Sequence, residues 1–204
     1  MARPRGRFIT IDGPDGGGKT THARRLADAL RERGVDVLLT REPGGTQLGE
    51  RVRTVLLDGS SGSHAPIADA LLFNAARAQH ISEVIRPALA AGRTVVCARY
   101  ADSTLAYQGY GAGLSLEDLR RLQQIATGGL RPDRTLLLDV PAEVGLSRKH
   151  DELTRFELTF DVAFHQRVRD GFLAMARQEP DRFRVIDARA PEDDVFAKVL
   201  AASD

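Results

Sequence analysis

Apolar residues along this chain follow two alternating rhythms. Short β-branched runs occur at 7–13 (RFITIDG), 35–40 (VDVLLT), 94–98 (TVVCA), 134–140 (RTLLLDV) and 183–188 (FRVIDA), flanked by glycine, proline or charge. Runs of this length and composition predict buried strands. Between them the spacing changes to i, i+3, i+4. Ala23, Leu26, Ala27 and Leu30 share one face of a helix predicted over 21–34, which Gly34 stops. Further helices are predicted near 46–57, 66–91 (with Pro87 tolerated near the end), 115–127, 141–149, 157–178 and 191–202, and GSSGSH at 59–64 predicts a surface connector. Strands alternating with helices give an α/β chain whose parallel sheet is covered on both faces. Ligands of such sheets bind at the carboxyl ends of the strands. Polar clusters found there are therefore the candidates for chemistry.

The 204 residues fit one domain, 1–204, and carry no internal repeat. With 29 basic and 28 acidic residues, no global field argues for a nucleic-acid or membrane partner. Cys97 is the single cysteine, which excludes a disulfide framework and a cysteine metal cluster. No apolar stretch of signal-peptide or membrane-spanning length follows the basic MARPRGRF, so the expected location is the cytoplasm. Lysine occurs only at Lys19, Lys149 and Lys198 against a background of arginine. The first of these sits in a motif.

That motif is GPDGGGKTT, residues 13–21, between the first strand and the first helix. It matches G-x-x-x-x-G-K-[ST]. Gly13, Pro14, Asp15, Gly16, Gly17 and Gly18 let backbone wrap a polyphosphate, with helix N–H groups aimed at it. Lys19 reaches the β/γ-phosphates, and Thr20, followed by Thr21, supplies a hydroxyl to Mg²⁺. The motif marks an NTP site and leaves the phosphoryl acceptor undefined. Phe73 and Arg77, spaced i and i+4, suit a flat base with a carbonyl edge, although Phe73 also fits a core position. Arg99 at a strand end suits a phosphate, or a structural ion pair. Tyr107 and Gln108 fit either a ligand or loop packing.

Taken together, the phosphate loop, TREPGGTQLGE, LLFNAARAQH, RYADSTLAYQGYG, LRPDRTLLLDVPAEVGLSR, TRFE, FHQRVRDGFL and VIDA resemble a bacterial thymidylate kinase from about residue 7 to 190. The resemblance implies a three-layer P-loop NTPase fold, with a five-stranded parallel sheet and a mobile lid at about 147–157. It implies ATP and dTMP as substrates, Mg²⁺, and a homodimer. Phe73 would stack on thymine, Arg77 bond its O4 edge, and Thr104 and Gln108 line the base. Arg99 would grip the dTMP phosphate, Tyr107 crowd the 2′ position, and Asp15 sit near the 3′-hydroxyl. Arg41, Glu42 and Pro43 would wall the monophosphate site. Gly16 after Asp15 removes the version of the family with a cation in the loop, so SRKHDELTRFE (147–157) supplies it from the lid. Arg148 would then lie near adenine, with Lys149 or Arg155 near the transferring phosphoryl group.

Two positions depart from the family pattern. Ala98-Arg99-Tyr100 replaces Asp-Arg-Tyr, and Thr154-Arg155-Phe156-Glu157 replaces Asp-Arg-x-Glu. The acid missing at 98 would orient the water shell of Mg²⁺, and Asp12, Glu42 and Asp102 are the candidates to replace it. Ala98 thus keeps open a catalytically weak nucleotide-binding protein on a kinase frame. A P-loop kinase for another small acceptor is the remaining alternative.

Overall fold

The computed structural model describes residues 6–149 and 154–204, and residues 150–153 of the expected lid lie outside them. Five strands occur among the described residues: β1 (Phe8–Asp12), β2 (Val37–Arg41), β3 (Thr94–Ala98), β4 (Arg134–Asp139) and β5 (Phe183–Asp187). They form one sheet of order β2-β3-β1-β4-β5 in which every neighbouring pair is parallel.

Side-chain alternation along the strands builds the layers. Ile9 and Ile11 of β1, Val96 and Ala98 of β3, and Leu136 and Leu138 of β4 share one face. It is covered by Ala23, Leu26, Ala27 and Leu30 of α1 (Lys19–Glu32) and by Val195 and Val199 near the C-terminus. Phe8, Val95 and Cys97 point the other way, onto Ile81, Ile85 and Leu89. Leu137 and Phe183 meet Phe164, Val168 and Phe172 on that second face. Each fully buried large apolar side chain contributes about 1.5–3 kcal/mol to folding.

Helix α2 (Gln47–Leu57) starts where the Thr46 hydroxyl accepts the Gly49 N–H, and α3 (Pro66–His80) follows the connector. The helix predicted over 66–91 is α3, a π-helical stretch Ile81–Ile85 and α4 (Arg86–Ala90). Pro87 comes directly after the π-helical stretch within a continuous helical path, where its missing N–H leaves one upstream carbonyl without that donor. Residues 101–111, for which the pattern predicts no element, wind into α5 (Ala101–Thr104) and a π-helical stretch Leu105–Gly111. Leu105 to Gly109 are all buried, so no solvent-facing stripe betrays the helix in the sequence. After α6 (Leu116–Thr127) and α7 (Ala142–Ser147), the helix predicted over 157–178 proves to be two. These are α8 (Arg155–Thr159) and α9 (Val162–Gln178), separated because the Asp161 carboxylate accepts the Phe164 N–H at 2.8 Å and caps a new start. Helix α10 (Glu192–Ala202) ends the chain.

Candidate active site

The loop between β1 and α1 is shaped by its glycines. Gly13 has φ 138° and Gly16 φ 73°, in the region that side chains disfavour. A Cβ on Gly16 would lie 2.0 Å from the Gly145 carbonyl of α7. Backbone crossing at that point leaves no room for a cation directly after Asp15. The first turn of α1 presents N–H groups with no intrahelical partner, in the manner of an anion site. Lys19 donates to the Pro14 carbonyl. Burial, and then the nearby Arg99, push its ammonium down from 10.5 to about 7. A buried cation so placed is stabilised by an arriving phosphate.

A cavity of about 340 Å³ opens from this loop. Asp15, Gly16, Gly18, Lys19, Thr20 and Thr21 line one side, and Lys149 stands among the lining residues. Glu42, Pro43, Phe73, Thr104, Tyr107 and Gln108 line the rest, with Arg99 also on the wall. Among the described residues Arg99 is the one non-glycine with positive φ, 67°. Such a conformation costs about 1–3 kcal/mol and has to be held by its surroundings. The Arg99 N–H donates to the Ile11 carbonyl at 2.9 Å, and the following Tyr100 N–H donates to the Asp12 carboxylate at 3.1 Å. Arg99 is thereby turned out of the sheet into the cavity.

Its guanidinium donates to Asp15 Oδ1, to the Ser103 hydroxyl at 3.2 Å and to the Tyr107 hydroxyl at 3.3 Å. Tyr107 in turn donates to Asp15 Oδ2 at 2.6 Å, and His165 Nδ1 of α9 lies 3.8 Å from the same oxygen. Burial alone would raise the Asp15 carboxyl. Arg99, Lys19 and Lys149 outweigh it and hold Asp15 well below the usual carboxylate range. The cluster is a preorganised, charged edge facing the phosphate loop.

Several residues expected at the site lie elsewhere. Arg41 at the end of β2 is turned to Glu50, at 2.9 Å, outside the cavity lining. Arg77 is 2% exposed and sits behind the wall. Its guanidinium donates to Glu42 at 2.7 Å, to Asn74 and Thr104 at 3.2 Å each, and to the Tyr100 carbonyl at 3.1 Å. Buried charge of that kind demands full pairing, so it acts on the cavity through Glu42 and Thr104. Arg148 donates to the Ala188 carbonyl at 2.9 Å and to Gly16 at 3.4 Å, flanking the phosphate loop from outside. Arg155, expected beside the transferring phosphoryl group, points instead to the Asp69 carboxylate and the Leu56 carbonyl.

Of the acids considered as substitutes for one at position 98, two face the wrong way. Ala98 shares the α1 face of the sheet with Ile11, its neighbour across the ladder. Asp12 is one residue on in β1 and so projects to the opposite face, where it accepts from Ser103 at 2.5 Å. Burial, and then Asp102, raise Asp12 from 3.8 to about 6. Asp102 is held by Arg182 at 2.6 Å on that same second face. Glu42 does line the cavity, with one oxygen on Arg77 and the other 3.2 Å from His80 Nδ1.

Sequence reasoning missed Arg53, Leu57, Ser103 and Phe156, all of which line the cavity. Arg53 and Leu57 are four apart on α2, and Arg53 donates to the Pro43 carbonyl at 3.1 Å. That spacing, on a helix directly following REPGGT, was the available signal. Phe156 had none, because its placement depends on a distant pairing of α8.

Residues 11–199 match the family model described as thymidylate kinase. A thymidylate kinase of Desulfovibrio desulfuricans is 51% identical over 203 residues, covering 96% of this chain and 94% of that protein. Another, from Deinococcus radiodurans, is 52% identical over 199 residues, covering 97% and 96%. The crystal structure of thymidylate kinase from Ehrlichia chaffeensis superposes with a TM-score of 0.80 at 36% identity, covering 97% of this chain and 98% of that one. With this loop, this sheet order and matches over nearly its whole length, the chain belongs to the thymidylate kinase family.

Proposed function

We propose that this chain transfers the γ-phosphoryl group of ATP to the phosphate of dTMP, giving ADP and dTDP. One observation carries the reading: a single cavity joins the phosphate loop around Lys19 to an aromatic-floored pocket, with Arg99 on its wall. A phosphate oxygen of dTMP attacks the γ-phosphorus, and the bond to the β,γ-bridging oxygen breaks as ADP leaves. The reaction asks little covalent work of the protein, chiefly alignment and charge neutralisation. Lys19 and the N–H groups of α1 take the β- and γ-phosphates. Arg99, already oriented by Asp15 and Tyr107, takes the acceptor phosphate together with Arg53.

Phe73 offers its ring to thymine, and Thr104 and Gln108 its polar edge. Arg77 orders Thr104 and Glu42 from behind. Tyr107 and Asp15 meet the deoxyribose, Arg148 borders the adenine side, and Lys149 is the lid cation nearest the transfer. Mg²⁺ suits this site as a companion of the nucleotide. Thr20 supplies one hydroxyl, and the described residues contain no cluster of three His, Cys, Asp or Glu to cage an ion independently. When bound, the ion neutralises charge on the β- and γ-oxygens.

The test is ADP release by the purified chain with dTMP, dUMP, dCMP and dGMP as acceptors. dTMP is expected to turn over fastest. No acceptor-dependent ADP release would leave only a nucleotide-binding protein, and a preference for another acceptor would replace the substrate.

The homodimer is part of the same proposal. Leu48 and Val55 of α2 and Ile67 and Leu71 of α3 are 46–52% exposed on two helices that pack together. A partner copy would cover these side chains, and sedimentation of Leu71→Asp against the parent checks it. No helix of the described residues is long and apolar enough to cross a membrane. With its one thiol, Cys97, buried and free, the chain suits the cytoplasm, where fractionation of the source cells would find it.

A further inference from the structure

Helix α8 has five residues, too few to hold itself in place without tertiary anchors. Two anchors converge on Arg155, which is 1% exposed. Its Nε donates at 3.1 Å to the Leu56 carbonyl, one of the last in α2 and without an intrahelical partner. Its Nη2 donates at 2.6 Å to Oδ2 of Asp69 in α3, itself 3% exposed. His64 Nδ1 lies 2.8 Å from the other Asp69 oxygen and fixes the carboxylate's orientation. The next residue, Phe156, is 5% exposed and lines the cavity. Its ring lies 6.1 Å from that of Phe73 and stands edge-on to Tyr107 at 5.8 Å.

We propose that Arg155 is a positioning residue whose pair with Asp69 seats Phe156 in the wall of the acceptor pocket, making α8 part of the base-recognition site. The physical reason is the pairing of a buried cation. Arg155 stays dry only where both anchors meet it, and those anchors lie on the helices that carry Arg53, Leu57 and Phe73. Phe156 cannot leave the wall while the pair holds. Phe73 and Tyr107 then meet the nucleotide in a pocket closed by a third aromatic edge, which selects for a flat, apolar-faced base. The proposal rests on the reading that dTMP occupies this cavity.

The chain contains no tryptophan, so Phe156→Trp creates a single fluorescent reporter at the seat. Its emission is expected at short wavelength and should move to longer wavelength when either Asp69→Asn or Arg155→Met is added, with Arg155→Lys recovering part of the difference. Without the reporter, Asp69→Asn and Arg155→Met should each raise the KM for dTMP about three- to tenfold, the worth of one aromatic contact, and leave the KM for ATP unchanged. Phe156→Leu should raise it similarly. Emission that ignores both variants overturns the proposal. So does a fall in kcat at constant KM with Arg155→Met alone, which would put the guanidinium on the transferring phosphoryl group. The fluorescence arm needs no turnover, so a chain inactive on dTMP would refute the substrate while still deciding the seat.

Discussion

Ala98→Asp tests how the site manages charge without an acid at the end of β3. Ala98 is 5% exposed on the α1 face of the sheet; its carbonyl accepts the N–H of Glu42, just past β2, and the Arg99 N–H donates to Ile11 of β1. The backbone is thus rigid, and a carboxylate placed there would project below the first turn of α1, which carries Lys19 and Thr20. Asp12 and Asp102 project to the opposite face and do not duplicate it. Burial at this end of the sheet disfavours a charged carboxylate, as the rise of Asp12 from 3.8 to about 6 illustrates. A new carboxylate buried at 98 with no metal nearby should therefore destabilise the ligand-free chain by about 1–3 kcal/mol, lowering Tm by roughly 2–12 °C at this length. With the nucleotide and its divalent ion bound, the acid would orient the ion's water shell as charge moves between oxygens. That benefit is larger in the transition state than in the ground state. A gain of roughly 2–4 kcal/mol, or about 10²–10³ in kcat, is expected, with both substrate affinities nearly constant. Steady-state kinetics at saturating Mg²⁺, beside thermal melts with and without ATP, read both quantities. Equal kcat in the two proteins would refute the reasoning and show that the site needs no acid at 98.

Lys19→Ala should lower kcat by more than about 10²-fold, since a preorganised cation is lost from the phosphate site, while circular dichroism and Tm stay at parental values. Arg77→Ala should cost about 3–5 kcal/mol in urea unfolding, because Glu42 is left buried without its strongest partner. Discrimination between dTMP and dCMP should fall with it through the loss of order at Thr104, and an unchanged ratio would remove Arg77 from base reading. Asp12→Asn carries a pH signature. A carboxyl whose pKa is raised in the fold favours the native state below about pH 3.8 and loses that contribution as pH climbs to about 6. The variant cannot ionise, so its stability relative to the parent should rise across that window and level off above it. A difference independent of pH would show that Asp12 is not strained by burial.

The sequence by itself determined the order of the five strands and of most helices, the phosphate loop and the family. Those signals are local: a period of two or of 3.6, glycines ahead of Lys19, and turn residues at fixed spacing. It also exposed the missing acid at Ala98. What it could not decide was where long charged side chains end. Arg77 and Arg155 look like ligand-facing arginines, yet each is drawn into the interior by a carboxylate, Glu42 or Asp69, far away in the chain. The helix over 101–111 escaped for a related reason, since burial on all sides erases the amphipathic stripe. Whether Asp12 replaces an acid at 98 turned on strand parity across a parallel ladder, and that exists only once β1 and β3 are paired. Buried charges choose partners by proximity in three dimensions, which no spacing along the chain records.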